Sequence, residues 1–314
     1  MDVFTALGSK ESSYSYYEIF VHPFLRDSDV ILSAVAFYFF VQYATMFLMP
    51  IFSRKYRTLS LDDKRSFAIR VVSIVNGLFM FKSAFFFVDG LFKNGGLHDR
   101  HYETIDGYRT YRLVIVGYFL WDIIVCVAYN WGFMWTVHAV ASFTGTYFLA
   151  FPFSDQYATY YSGMFETSNA FIHGAALLKM LDSNLRLASI LEYIFAALFF
   201  CIRVIGGTIV TSRYYMDMVP VLMAGKGHSH ATIASCLFLV AVVMILQYVW
   251  FWEIIRIATG MSPSPNGPTT AAATSTTSDA SSGAQAVTGG AAAASPEKDS
   301  KPRSSSRKAA RKED

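Results

Sequence analysis

Seven long apolar runs separated by short polar links dominate the chain: roughly 30–52, 69–92, 112–129, 132–151, 157–180, 187–211 and 230–256. A helix that crosses the hydrocarbon core of a bilayer needs about 20 mainly apolar residues, and every run meets or approaches that length. The pattern predicts an all-α, multi-pass transmembrane helix bundle of about seven spans. The run at 157–180 is the least apolar, because Glu166, Asn169 and His173 interrupt it. A six-span bundle, with that run re-entrant or lying in the interface, is the alternative. Short links predict that sequential helices pack as neighbours, the exception being the longer link between Lys93 and Tyr111. Spans one and seven carry the cleanest apolar pattern and are expected to contribute packing alone.

The segments on either side read differently. Residues 1–29 are polar and aromatic and contain no basic-then-apolar leader, so the first span is expected to do the targeting. The loop after span one holds Arg54, Lys55, Arg57, Lys64 and Arg65, which the positive-inside rule places in the cytoplasm. The 1–29 segment is then lumenal, and seven crossings put the other terminus in the cytoplasm. The membrane region is expected to end near residue 260. Over 261–314 the composition changes to Ala, Ser, Thr, Gly and Pro, the signature of a disordered low-complexity tail. Its end mixes serines with Lys301, Arg303, Arg307 and Lys308, a basic segment suited to anionic lipid.

Composition agrees with a chain facing lipid. Of the residues, 54% are hydrophobic and 16% charged, against about 25% charged in soluble domains. A net charge of +3, without a basic patch interleaved with aromatics, argues against nucleic acid as a partner. Cys126, Cys201 and Cys236 sit inside apolar runs and are expected to be buried small hydrophobes. The loop clusters His98-Asp99-Arg100-His101 and His228-Ser229-His230 lack the spacing of a metal motif, so neither a metal nor a cofactor is expected.

Ionisable groups inside spans cost at least about 2–3 kcal/mol each on insertion scales, so each needs a reason. Span two carries Asn76 and Lys82, span three Asp122, and span four His138 with Ser142 one turn on. In span five, Ser162, Glu166, Asn169 and His173 follow one another at spacings of four, three and four, which puts them on one helical stripe. Span six carries Arg203. Asp122 and Glu166 are candidates to neutralise Arg203 and Lys82, while Lys82 and Asp89 are also placed to snorkel toward an interface. Turned inward, these residues make a polar interior with an apolar rim, a site for the head group of an amphiphile. His138 and Asp122 are the candidates for chemistry. Asn76, Ser142, Glu166, Asn169, His173 and Arg203 are the candidates for the cavity.

Five stretches carry a family resemblance. They are Arg70-Val71-Val72-Ser73-Ile74-Val75-Asn76, Gly117-Tyr118-Phe119-Leu120-Trp121-Asp122, Val137-His138-Ala139-Val140-Ala141-Ser142, Glu166 to His173, and Phe199-Phe200-Cys201-Ile202-Arg203. Their order and placement resemble the TLC domain, shared by ceramide synthases and several small lipid-related membrane proteins. The chain is most similar to the short TLC-domain proteins, over about residues 65–256. The resemblance implies a protein of the endoplasmic reticulum or Golgi that binds or processes a membrane lipid in sphingolipid or phospholipid homeostasis. It also implies an alternative: an N-acyltransferase of ceramide-synthase type, with His138 as general base and acyl-CoA as co-substrate. The family's paired histidine is incomplete, because Val137 stands where the first is expected, and His173 on the next span is the nearest substitute. A lipid or proton-coupled transporter, or a cargo receptor, is a second alternative. Membrane lipid is the expected partner, with self-association into a homo-oligomer as a further expectation.

Overall fold

Polar caps set the ends of the helices. Ser53, Ser60 and Ser229 each accept a hydrogen bond from a backbone N–H in the first turn that follows, at 3.1, 3.1 and 3.2 Å. Asn184 does the same for Leu187 at 3.1 Å. These side chains satisfy donors that a helix start leaves open. The computed structural model describes residues 15–94, 96–97, 104–149 and 153–261. The basic tail, residues 1–14 and the His98–His101 cluster lie outside the described residues.

The described chain is helical, with no strand among its residues. Helix α1 (His22–Phe52) is preceded by a π-helical turn, Tyr17–Val21. Then come α2 (Arg54–Thr58), α3 (Leu61–Asn94), α4 (Arg109–Ala128) and α5 (Phe133–Phe148). A segmented rod follows: α6 (Asp155–Thr159), a π stretch Tyr160–Met164, α7 (Phe165–Thr167) and α8 (Asn169–Met180). Next, α9 (Leu185–Leu198), a π stretch Phe199–Gly206 and α10 (Gly207–Met223) run on as one helix, and α11 (His230–Ala258) is last.

Among the described residues, five helices are long and apolar enough to cross a membrane: Tyr17–Phe52, Leu61–Lys93, Arg109–Ala128, Leu185–Met223 and His230–Ala258. Of the other two expected spans, α5 has only 16 residues and the α6–α8 rod is broken at Ser168. The rod nevertheless runs from one end of the bundle to the other. Asp155 at its start pairs with Arg112 at the start of α4, and Lys179 near its end pairs with Glu192 of α9 at 2.6 Å. Beyond it, Asp182 pairs with Lys55 of α2. Two boundaries differ from expectation. The first helix starts at Tyr17, not near residue 30, and the sixth continues to Met223, not 211. Both extensions carry paired charges, Asp27 with Arg26 and Arg109 and Asp217 with Arg213, so apolar length alone under-reads them.

Six of the seven rods close a ring. Going round, α3 meets α4, α4 meets α5, α5 meets α11, α11 meets α10, α9 meets α8, and the α6–α8 rod meets α3. Helix α1 lies outside, packed on α3 and α4. The short link between α5 and α6 therefore does not make them main packing partners, as link length had suggested. The rod packs chiefly on α3, because its small residues fit there. A Cβ on Gly163 would lie 2.4 Å from the Ala84 backbone nitrogen, and one on Gly77 would lie 3.0 Å from the Glu166 carbonyl oxygen. Close approach through small residues is the usual way helices associate in lipid.

The outside of the ring is apolar: Phe40, Phe47, Phe92, Ile209 and Phe238 are all well exposed. Water would not tolerate so continuous a surface, and a bilayer requires it. Lys82 and Asp89 are exposed too, with Lys93 pairing Asp89 at 2.6 Å, so neither enters the interior. Cys126 and Cys236 are buried as expected, but Cys201 is exposed on the outer face.

The end of the bundle opposite α2 is filled by a dense core that includes Phe87, Phe153, Tyr157, Tyr160, Tyr214 and Met218. His228, in the link before α11, packs edge-on to Phe153 with ring centroids 4.9 Å apart. Burial lowers its pKa from 6.5 to about 4. Between those values the unfolded chain binds a proton that the folded one refuses. Stability is therefore expected to fall as pH drops from 6.5 toward 4, by up to about 3 kcal/mol. His228→Phe should make that slope shallower when thermal unfolding of the purified protein is compared across the same range.

Candidate functional site: a polar network across the ring

At mid-bundle, side chains from five rods join in one hydrogen-bonded chain. Tyr38 of α1 donates to Asn76 Oδ1 of α3 at 2.8 Å. Asn76 Nδ2 donates to Glu166 Oε2 at 3.0 Å, and Asn169 Nδ2 donates to the same oxygen at 3.1 Å. Arg203 Nη2 then donates to Asn169 Oδ1 at 2.7 Å, Nε to Ser168 Oγ at 3.0 Å and Nη1 to Gln247 Oε1 at 3.2 Å. It also binds the Phe165 carbonyl oxygen. Asn76 and Gln247 are fully buried, and Glu166 and Arg203 are each 5% exposed.

The backbone explains why this network forms here. π-helical turns and helix breaks release carbonyls from the regular ladder and recur at functional sites. The break at Ser168 leaves the Phe165 carbonyl to be taken by Arg203 and, at 3.2 Å, by the Ser168 hydroxyl. In the other π stretch, Tyr160 donates to the Ile202 carbonyl oxygen at 2.5 Å, and a Cβ on Gly206 would lie 2.4 Å from the Tyr160 hydroxyl. Gly206 thus lets that tyrosine approach. Rings of Phe165 and Phe199 flank the Arg203 guanidinium, each 5.3 Å from its Cζ.

Toward the α2 end the remaining candidates occupy separate positions. Asp122, His138 and His173 are half-buried. His138 packs edge-on to Trp250 of α11 and Phe119 of α4, with ring centroids 5.1 and 6.2 Å away. Its Nδ1 is buried without a hydrogen-bond partner. Arg70 Nη1 lies 3.5 Å from His173 Nδ1, so His173 is engaged by α3 and does not pair with His138. Asp122 accepts a weak bond from Cys126 at 3.8 Å. Ser142 is buried on α5, one turn from His138.

Several expectations change. Asp122 does not neutralise Arg203, and Lys82 stays outside on the exposed face. Glu166 and Arg203 are joined through Asn169, which presents its amide nitrogen to one and its oxygen to the other. Ser162 faces α3 as Glu166 does, but two turns further along that helix and outside the network. It meets Tyr108 at 2.9 Å and Ser83 at 3.3 Å instead.

Spans one and seven do more than pack. Tyr38 and Gln247 enter the network, and Gln42 of α1 accepts from Trp121 Nε1 and donates to the Tyr129 hydroxyl, both at 3.0 Å. The signal was present in the sequence: a lone amide in a clean apolar run carries the same insertion cost that singled out the spans between.

Chemically, the centre offers a carboxylate, a guanidinium and three amides inside an apolar wall, with an imidazole toward the α2 end. Among the described residues, no cluster of three His, Cys, Asp or Glu side chains has metal-site geometry. A family model, the TLC domain, matches residues 66–256, more than half of the chain. The match begins inside α3 and ends inside α11, so it takes in the ring and leaves α1 out. No curated protein matches the chain.

Proposed function

Because the chain belongs to the TLC-domain family, we propose that it acts in membrane-lipid homeostasis by taking a sphingolipid or phospholipid head group into the polar centre of the ring. The observation that carries this reading is the buried chain from Tyr38 through Asn76, Glu166, Asn169 and Arg203 to Gln247. Helix association alone needs one or two such bonds, each averaging below about 1 kcal/mol. Five rods converging on one carboxylate and one guanidinium exceed that need. Gln247 Nε2 and His138 Nδ1 have no hydrogen-bond partner, which leaves a donor and a ring nitrogen for a ligand. The half-buried Asp122, His138 and His173 set the approach from the α2 end. By its basic loop that end is cytoplasmic, as is the chain beyond α11, in a membrane of the endoplasmic reticulum or Golgi.

Glu166→Gln retains an acceptor oxygen for Asn76 and Asn169, so it is expected to fold while losing the charge. Lipids co-purified with the wild type, Glu166→Gln and His138→Ala proteins, and the lipid profiles of cells carrying them, test the proposal. Loss of a defined lipid class in the variants supports it. Unchanged lipids in both variants contradict it.

Acyl transfer is the second reading, favoured by His138 Nδ1, which is buried without a hydrogen-bond partner. His138 acts there as general base and acyl-CoA as co-substrate. Incubation with a sphingoid base and an acyl-CoA is then expected to give an N-acyl product. His138→Ala should lower its rate by about 10²–10⁴-fold, the usual worth of a positioned base. Absence of any His138-dependent product removes this reading.

A further inference from the structure

Outside the ring, α1 and α3 diverge toward the end opposite α2 and leave a groove of about 460 Å³, with α4 contributing Val114. Its walls are Val30, Ala34 and Phe37 of α1 and Val75 and Phe79 of α3. Its volume falls within the range of about 300–1,000 Å³ typical of ligand sites. Polar atoms gather at one end only, where Asp29 and Ser33 lie one turn apart on α1. The floor is Tyr38, whose hydroxyl holds Asn76.

The charges at the polar end are arranged unusually. Asp27 is buried and serves two guanidiniums, those of Arg26 and Arg109, which are 42% and 60% exposed. Each therefore keeps donors facing outward. Asp29, two residues on and exposed, has neither an ion pair nor a hydrogen bond among the described residues. Arg26 lies one turn before Asp29 on α1, so an outward-facing guanidinium adjoins that uncompensated carboxylate at the margin of an apolar slot opening on the bilayer. A phosphate bonded to Arg26 or Arg109 and an ammonium beside Asp29 would complement both signs at once. Guanidinium binds phosphate in preference to a diffuse anion.

We propose that this groove binds a zwitterionic phospholipid, with one acyl chain lying along Phe37 and Phe79 and the phosphate–ammonium head group spanning Arg26, Arg109 and Asp29. The chain then rests on Tyr38, one hydrogen bond from the central network. The site lies outside the ring and does not depend on what the polar centre binds or transforms.

The test uses the full-length protein in vesicles containing phosphatidylcholine with a photoactivatable group on one acyl chain, and mass spectrometry to locate the label. Label is expected to concentrate on Val30–Tyr38 and Val75–Phe79 and to be sparse on Phe40 and Phe47. Ser33→Trp, which fills the slot from an exposed position, should reduce it about tenfold. Ser33→Leu provides the same test if the larger side chain impairs folding. Asp29→Asn should lower labelling by the phosphatidylcholine probe and leave labelling by an anionic phosphatidylglycerol probe unchanged. Glu166→Gln should leave groove labelling intact, which separates this site from the central one. Even labelling around α1, or labelling insensitive to both Ser33 variants, overturns the proposal. Equal labelling by the two probes in wild type and Asp29→Asn overturns its head-group assignment.

Discussion

Arg203→Ala is expected to destabilise the bundle by about 3–5 kcal/mol, as removal of one member of a buried charged network does. The substitution strips partners from Ser168 Oγ, Asn169 Oδ1, Gln247 Oε1 and the Phe165 carbonyl, all deep in the ring. No water replaces them in a membrane interior. It also leaves the Glu166 carboxylate without the guanidinium two bonds away. Arg203→Lys is expected to recover only part of the loss, because an ammonium cannot span acceptors laid out for a planar fork. Replacing Arg203 and Glu166 together by methionine should restore more stability than either single change, since a buried pair exchanged for apolar groups is often neutral. Denaturant midpoints of the detergent-solubilised proteins measure each of these variants. A single Arg203→Ala loss below about 1 kcal/mol would show that the network contributes little to folding.

Gly163→Ala should cost at least about 3 kcal/mol and lower the yield of folded protein. Its added Cβ would lie 2.4 Å from the Ala84 nitrogen and 2.6 Å from the Ser83 carbonyl carbon. Those are backbone atoms of α3 and cannot rotate aside. The rod must therefore move away from α3, stretching the Asn76–Glu166 bond on the same interface. Gly145 is the control. Nothing lies within 4 Å of its added Cβ, so Gly145→Ala is expected to be neutral or to gain up to about 1 kcal/mol in helix propensity. Thermal unfolding of the two variants beside wild type decides the matter.

Apolar length read the helices well because the bilayer imposes that length directly. The α3, α4 and α11 spans lie close to where the runs placed them. Length read badly where charged residues near a helix end are paired within the protein, as at Asp27 and Asp217. Ring order was not legible. The short α5–α6 link is compatible with a crossing, and the contact surface that sends the rod to α3 depends on Gly77 and Gly163, which carry no hydrophobic signal.

The site was legible in part. Asn76, Glu166, Asn169 and Arg203 were singled out by insertion cost alone, and the structure joins them. Ser162 shares the α3 face with Glu166 as helical spacing implied, but it bonds Tyr108 and Ser83 outside the network. Tyr38 and Ser168 were passed over, since small or amphipathic groups raise little cost in a hydropathy profile, and Gln247 because the run around it is otherwise apolar. Asp122 and His138 do not meet the central network in any described bond. They meet Cys126 and Trp250 instead, and their place on the α2 side suits an approach path.

The most direct measurement is an experimental structure of the protein extracted with its native lipids. The account predicts lipid density inside the ring, with a polar head against Glu166, Arg203 and Gln247 and a chain passing His138 and Trp250. A ring interior holding no lipid, with density confined to the outer face, would contradict it.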